Sequence, residues 1–564
     1  MQPTQHSALN LPEIITAIGS FLPRRSIIAC LQLNSLFHTF LAPFIYNHLK
    51  LFSRHSVSKL PTTQTLVRYA HLVHDLSINS FVSLAYLTAG YKNLRSISFS
   101  SHKGNQAAQL GTDDEILDTL LQLIHDNPGL KGWTLDDPWP QIPAVVWKAI
   151  AESATELDVL RLHNTTVSEE ARPWFLKACW KAQQLVLQSV TIQGSEPSSN
   201  FTGHNDIPPT FSPRGVQFNN VPGLPMLDQL EFLSRCPHLQ DVFWEPVSQD
   251  TYRQLRQATE QEVMAMRAEI RRFFQHTTWP HLKSVTIGKY GDYSDSSLAS
   301  SLTVESMDHI LESIQAGRLE QLVCQGSVFS TAGLRSLSTQ FSNLSVLTAR
   351  GCAVISSPVV QQLLESCPRL TTIEVTELHI RDIRRGEPWV CIRMKNLRFS
   401  FNLWLEKGDV DWRDFASSPL ADTDQDELET TRFIQDQHCV FDQLSRVTAL
   451  ECLDVQVFPL RLNVVAGSGG SEVLHYGELD FRTSHGLEML STLKELRYLN
   501  FCGTSQRLQR EDVEMMVEQW PQLDCLSGRL TFDLELDTSL GEYLDEHDID
   551  RGLLEQWLSR LDNA

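Results

Sequence analysis

The chain has 564 residues, 42% of them hydrophobic, and a formal charge of −21 at neutral pH. Its length exceeds one compact core and calls for several domains or an elongated repeat array. The acidity argues against nucleic acid as a main partner. Membrane insertion is disfavoured too, because no apolar run approaches the roughly 20 residues that span a bilayer.

In chain order, residues 9–51 come first. Leu11, Ile14, Ile15, Ile18 and Leu22 recur at the spacing of one helix face. Pro12 sits in the first turn, where its missing N–H costs nothing, and Leu22-Pro23 ends the helix. The stretch is broken by Glu13 and by Pro23-Arg24-Arg25, so it does not read as a signal peptide. Ser26 is placed to cap a second helix carrying Ile27, Ile28 and Leu31. A third segment, residues 33–41, runs into Ala42-Pro43, and residues 44–49 make a last short turn. Three short helices cannot build a self-sufficient core. Their spare apolar surface must pack on the rest of the chain, on a partner, or on both.

From residue 53 a different pattern takes over. Thirteen times an apolar residue is followed three and five positions later by two more, with Gly528 counted as apolar in the last copy. The leading residues are Val73, Leu94, Leu130, Leu157, Ala182, Leu239, Leu282, Leu319, Leu344, Leu370, Leu450, Leu496 and Leu523. The last two apolar positions of each copy lie two apart and share one face of a strand. Asn127-Pro128, Cys236-Pro237, Trp279-Pro280, Cys367-Pro368 and Trp520-Pro521 end the element before a copy. Ahead of such turns, amphipathic runs at 359–365 and 513–517 read as helices. Leu319, Leu344 and Leu370 follow at 25 and 26 residues, so one unit is helix, Pro turn, short strand and loop. No copy buries its own apolar face, but stacked copies bury one another. An ordinary α/β protein of alternating strands and helices is the alternative. Irregular insertions are expected near 191–226, 405–440 and 463–486, with an off-register copy at Leu397, Phe399 and Phe401. Residues 538–564 read as an acidic helical tail.

No catalytic constellation emerges. Gly467-Ser468-Gly469-Gly470 lacks the Lys and Ser/Thr of a phosphate loop, and His547-Asp548-Ile549-Asp550 has no second cluster to complete a metal site. The eleven cysteines include no C-x-x-C pair, which points to reduced, buried thiols. Neither a metal nor a cofactor is expected, and the sequons at Asn164, Asn200 and Asn343 are expected to stay unmodified. The acidic run at 409–429 is either a solvated insertion or a lure for a basic partner. Strand geometry turns the residues flanking each second apolar position toward the opposite face. That nominates Arg161, Phe243, Arg350, Glu374, Asp454 and Tyr498 as target-binding positions, with the aromatics and arginines as anchors.

The repeat resembles the leucine-rich-repeat family, with its L-x-x-L-x-L-x-x-N/C consensus, although the final position is poorly kept. The resemblance implies an α/β fold: a curved solenoid over residues 53–537, with parallel strands on the concave face and helices on the convex one. Leu11-Pro12-Glu13-Ile14-Ile15, then Ile18, Phe21-Leu22-Pro23, Leu31, Phe37, Phe40 and Pro43-Phe44-Ile45-Tyr46, resembles an F-box over residues 1–52. Ser26 stands where Asp is common, His38 where a basic residue is usual, and Tyr46 where Trp is frequent. That resemblance implies docking on a Skp-type adaptor, and through it a cullin, by Leu11, Pro12, Ile14, Ile15, Ile18, Leu22, Ile28 and Leu31. The protein is then a non-catalytic target receptor of a Skp–cullin–F-box ubiquitin ligase, cytoplasmic or nuclear, holding an unknown protein target. The alternative is a ligase-independent scaffold whose first helices only cap the array.

Overall fold

All thirteen leading residues are buried where a strand begins, and twelve are followed by the two apolar residues that carry the chain into the core, while after Leu523 only Leu526 does so and Gly528 takes the other place. The computed structural model describes residues 11–51, 61–79, 86–100, 113–136, 142–153, 157–194, 210–245, 258–287, 298–326, 329–352, 354–403, 423–455, 479–502, 504 and 506–552. The chain divides into two compact units, Met1–Trp279 and Pro280–Ala564.

The first unit opens with helices α1 (Pro12–Phe21), α2 (Arg24–Cys30) and α3 (Ser35–Tyr46). Its strands are β1 (His48–Leu51), β2 (Asp75–Asn79), β3 (Ser96–Ser100), β4 (Gly132–Asp136), β5 (Leu157–His163), β6 (Thr166–Val167), β7 (Ala182–Gln188), β8 (Thr191–Ile192), β9 (Gly215–Asn219) and β10 (Asp241–Trp244). Eight of them lie parallel in the order β1-β2-β3-β4-β5-β7-β9-β10, while β6 and β8 pair separately. Among its described residues the second unit holds eight more: β11 (Ser284–Ile287), β12 (Gln321–Gln325), β13 (Val346–Arg350), β14 (Thr372–His379), β15 (Asn396–Asn402), β16 (Cys452–Asp454), β17 (Tyr498–Asn500) and β18 (Cys525–Ser527), parallel and in sequence order.

Parallel neighbours need crossovers, and helices supply most of them. The helix Ser357–Ser366 buries Val360, Leu363 and Leu364, and the helix Arg510–Gln519 buries Val513 and Met516. After several strands the chain turns through a left-handed residue: Asn164, Ser189, Asn220, Gly326 and Gly351 have φ of 50, 52, 49, 80 and 67°. At Asn164, Ser189 and Gly326 the backbone N–H donates to the carbonyl of Gln188, Asn219 and Arg350 in the next strand, at 2.9, 2.8 and 2.7 Å. Asn and Gly tolerate this conformation best. Buried glutamines knit adjacent repeats. Gln340 Oε1 accepts from the N–H groups of Arg318 and Leu319, and Gln506 Nε2 donates to the Leu479 carbonyl.

Several expectations need correction. Helix α2 starts at Arg24 behind Pro23, so Ser26 lies inside the helix and does not cap it. Helix α3 runs through Pro43 to Tyr46, and Leu49 already belongs to β1, where residues 44–49 read as a turn. The span 191–226 contains a regular repeat strand, β9, whose leading position is Pro213, and β15 is in register once Met394 is taken as its leading residue. Residues 404–422 and 456–478, with the Gly467–Gly470 run, lie outside the described residues, but the helix Thr423–Arg446 occupies the rest of the 405–440 insertion. The acidic helix Leu534–Glu546 buries Leu540 and Leu544 and is followed by Asp550, which bridges to Cys525 in β18. Among the described residues no helix is long and apolar enough to cross a membrane.

Candidate functional site

Two surfaces come forward. The first is the N-terminal module. Ile15, Ile27, Leu41 and Ile45 form a small core, against which Leu22, Leu31, Phe37 and Tyr46 pack. Helices α1 and α3 approach so closely at Gly19 that a Cβ there would stand 2.6 Å from Leu41 and 2.8 Å from Phe44. Asn34 fixes the start of α3 by accepting from Phe37 N–H at 2.9 Å. Against this frame, Leu11 (52% exposed), Phe21 (87%), Ile28, Leu33 and Phe44 remain open to solvent. Those are five of the twelve large exposed hydrophobics of the described chain, drawn from 34 residues (Leu11 to Phe44).

This sorts the nominated adaptor residues. Leu11 and Ile28 are exposed, and Pro12, Ile14, Ile18, Leu22 and Leu31 are half-buried. Ile15 is fully buried in the module's own core, so it holds the helices together and meets no partner. The module is also tied to the first repeats. Tyr46 stacks on Tyr69 at 4.3 Å, Tyr69 Oη bonds His38 Nε2 at 2.9 Å, and β1 pairs with β2 directly after α3.

The second surface is the sheet face turned away from the apolar core. In the second unit, register lines up Thr348, Glu374, Arg398, Asp454, Asn500 and Ser527 on β13 to β18. Glu374, with its side chain only 12% exposed, pairs with Arg350 and lies 3.7 Å from Arg398. Asp454 is buried and accepts from Asn500 Nδ2 at 2.9 Å. Burial, then the nearby Arg398 charge, lowers the pKa of Arg350, while Asp454 opposes the shift. The row is a low-dielectric polar network in which carboxylate and guanidinium hold one another.

Of the six nominated target-binding residues, Arg161 is exposed on β5 and Phe243 half-buried on β10, both in the first unit. Arg350 and Glu374 are brought together in the second. Asp454 and Tyr498 are corrections: Tyr498 has no exposed surface and forms a buried cluster with Cys452 and Cys525. Strands β16, β17 and β18 are buried on both faces, so alternation no longer separates core from surface there. Burial pushes the Cys452 thiol up to about 12 and raises the Tyr498 phenol above its usual range. Arg398 is hidden when its copy is read out of register; the spacing Met394, Leu397, Phe399 brings it out. Among the described residues no group of His, Cys, Asp and Glu is arranged to hold a metal ion.

No protein-family model matches the chain, and no curated protein matches it. Among solved structures it is similar to the yeast Rad7–Elc1 complex, at 12% identity and a TM-score of 0.32, over 84% of this chain and 82% of that one. It is also similar to the Drosophila Toll–Spätzle complex, at 12% identity and a TM-score of 0.34, over 84% of this chain and 57% of that one. At that level neither likeness bears on what this chain does.

Proposed function

We propose that this protein is a non-catalytic target receptor of a Skp–cullin–F-box ubiquitin ligase, acting in the cytoplasm or nucleus. The observation that carries the reading is the N-terminal module: a small closed core that leaves Leu11, Phe21, Ile28, Leu33 and Phe44 exposed. Exposed apolar side chains gathered on so short a segment mark a docking surface. With the F-box-like Leu11-Pro12-Glu13-Ile14 opening, the occupant is a Skp-type adaptor. The repeats then hold a protein target near a conjugating enzyme recruited elsewhere, and their contribution is effective concentration.

A Leu11→Asp/Ile28→Asp variant tests this, since both side chains are exposed and the change spares the module's core. Loss of co-purifying adaptor at an unchanged melting temperature is expected. Recovery of no adaptor with the wild type, or equal recovery with the variant, defeats the reading.

The second reading is a ligase-independent scaffold whose helices cap the array. The Tyr46–Tyr69 stack and the direct passage of α3 into β1 favour it. It predicts no adaptor with either protein.

A further inference from the structure

We propose that the helix side of the first unit carries a docking site for an acidic, partly apolar protein segment, built on Lys148, Trp174 and Lys177. The proposal is independent of the ligase reading. Lys148 stands on the helix Ala144–Ser153, and Trp174 and Lys177 on the helix Arg172–Lys181, which packs against it. Beneath them the buried Trp147 and Phe175 meet edge to face at 5.1 Å. Each is the chain neighbour of an outward residue, so this contact fixes the positions of Lys148 and Trp174. The two ammonium groups lie 5.3 and 5.4 Å from the centroid of the half-buried Trp174 ring. Val145, three residues before Lys148, adds an exposed apolar side chain on the same helix.

Neighbouring cations are used differently. Lys181 donates to the Ala151 carbonyl at 2.6 Å and has Glu152 nearby, and Arg235 pairs with Glu231 at the end of its own helix. Lys148 and Lys177 are exposed, and among the described residues neither has a carboxylate partner. The indole attracts both ammonium groups through its quadrupole but carries no net charge to neutralise them. In a chain of net charge −21, two cations without a carboxylate partner among the described residues, held over one aromatic ring, form a local inversion of sign. A carboxylate-bearing segment matches that charge, and its apolar side chains match Trp174 and Val145.

Fluorescence anisotropy of the full chain with a labelled 12-residue peptide of alternating glutamate and leucine tests this, with a glutamine–leucine peptide as control. The glutamate peptide should bind at least tenfold more tightly than the control and weaken as salt rises. Lys148→Glu/Lys177→Glu should lose at least tenfold at an unchanged melting temperature, while Lys148→Arg/Lys177→Arg keeps binding. Equal binding of the two peptides, or an unaffected charge-reversal variant, overturns the proposal. So does displacement of the peptide by phosphatidylserine vesicles or duplex DNA with higher affinity, which reassigns the patch to a membrane or a nucleic acid.

Discussion

The two units share one apolar repeat and differ in what they place between its apolar positions. On the first unit's sheet face one row reads Ser77, Ser98, Thr134, Arg161, Val186, Gln217 and Phe243, and among the described residues none of these is in an ion pair. The equivalent row of the second unit is joined by Glu374, Arg398, Asp454 and Asn500, and its last three strands are buried on both sides. The core positions specify how a repeat stacks. The residues between them decide whether its face stays available or becomes part of the structure.

That contrast breaks first at Tyr498. Tyr498→Ala should cost about 3–5 kcal/mol, as removal of a fully buried aromatic does, measured by denaturant unfolding; a loss under about 1 kcal/mol would return Tyr498 to the surface. Glu374→Gln should cost about 2 kcal/mol by leaving Arg350 and Arg398 without their shared carboxylate. Adding Arg398→Met should restore at least half of it. If the double variant is no better than the single one, the row is not a coupled network.

Asp228 gives the first unit a pH-dependent stability. Burial raises its carboxyl from 3.8 to about 6, overriding the attraction of Arg172 at 3.8 Å. A raised folded pKa means that the native state binds the proton more tightly, so this residue's penalty is complete above pH 6 and relieved as pH falls toward 4. Between pH 7 and pH 5 the wild type should therefore gain about 1 kcal/mol relative to Asp228→Asn. Parallel stability curves for the two proteins would refute the assignment. The smallest effect belongs to the open face: Thr134→Ala should change stability by less than about 0.5 kcal/mol, and a larger loss would mean that this face too is structural.

The repeats are legible because burial demands a fixed spacing. Thirteen of the sixteen described strands in the parallel rows announce themselves, twelve by three apolar residues and β18 by two with Gly528 in the third place, and the helices at 357–366 and 510–519 do so by their periodicity. The missing three begin from Tyr46, Pro213 and Met394, where a helix end, a proline and a misjudged register hide the pattern. The faces are harder to read. Period two separates sides of a strand, but it does not tell which side another part of the chain covers, and Asp454 and Tyr498 fall on that distinction. The Lys148–Trp174 pairing is invisible for a related reason: its residues lie 26 positions apart and meet only because two helices pack.

The segment just beyond the helix Leu534–Glu546 has a bearing on solution behaviour. Leu526 N–H donates to the Asp550 carbonyl, and Asp550 N–H donates to that of Asp524, both at 2.9 Å. These few residues occupy the rim of β18, where an unpaired backbone would invite another molecule to add its own strand. A short stretch after an acidic helix thus acts as a guard against polymerisation. A lesion there would surface as insolubility long before any loss of binding.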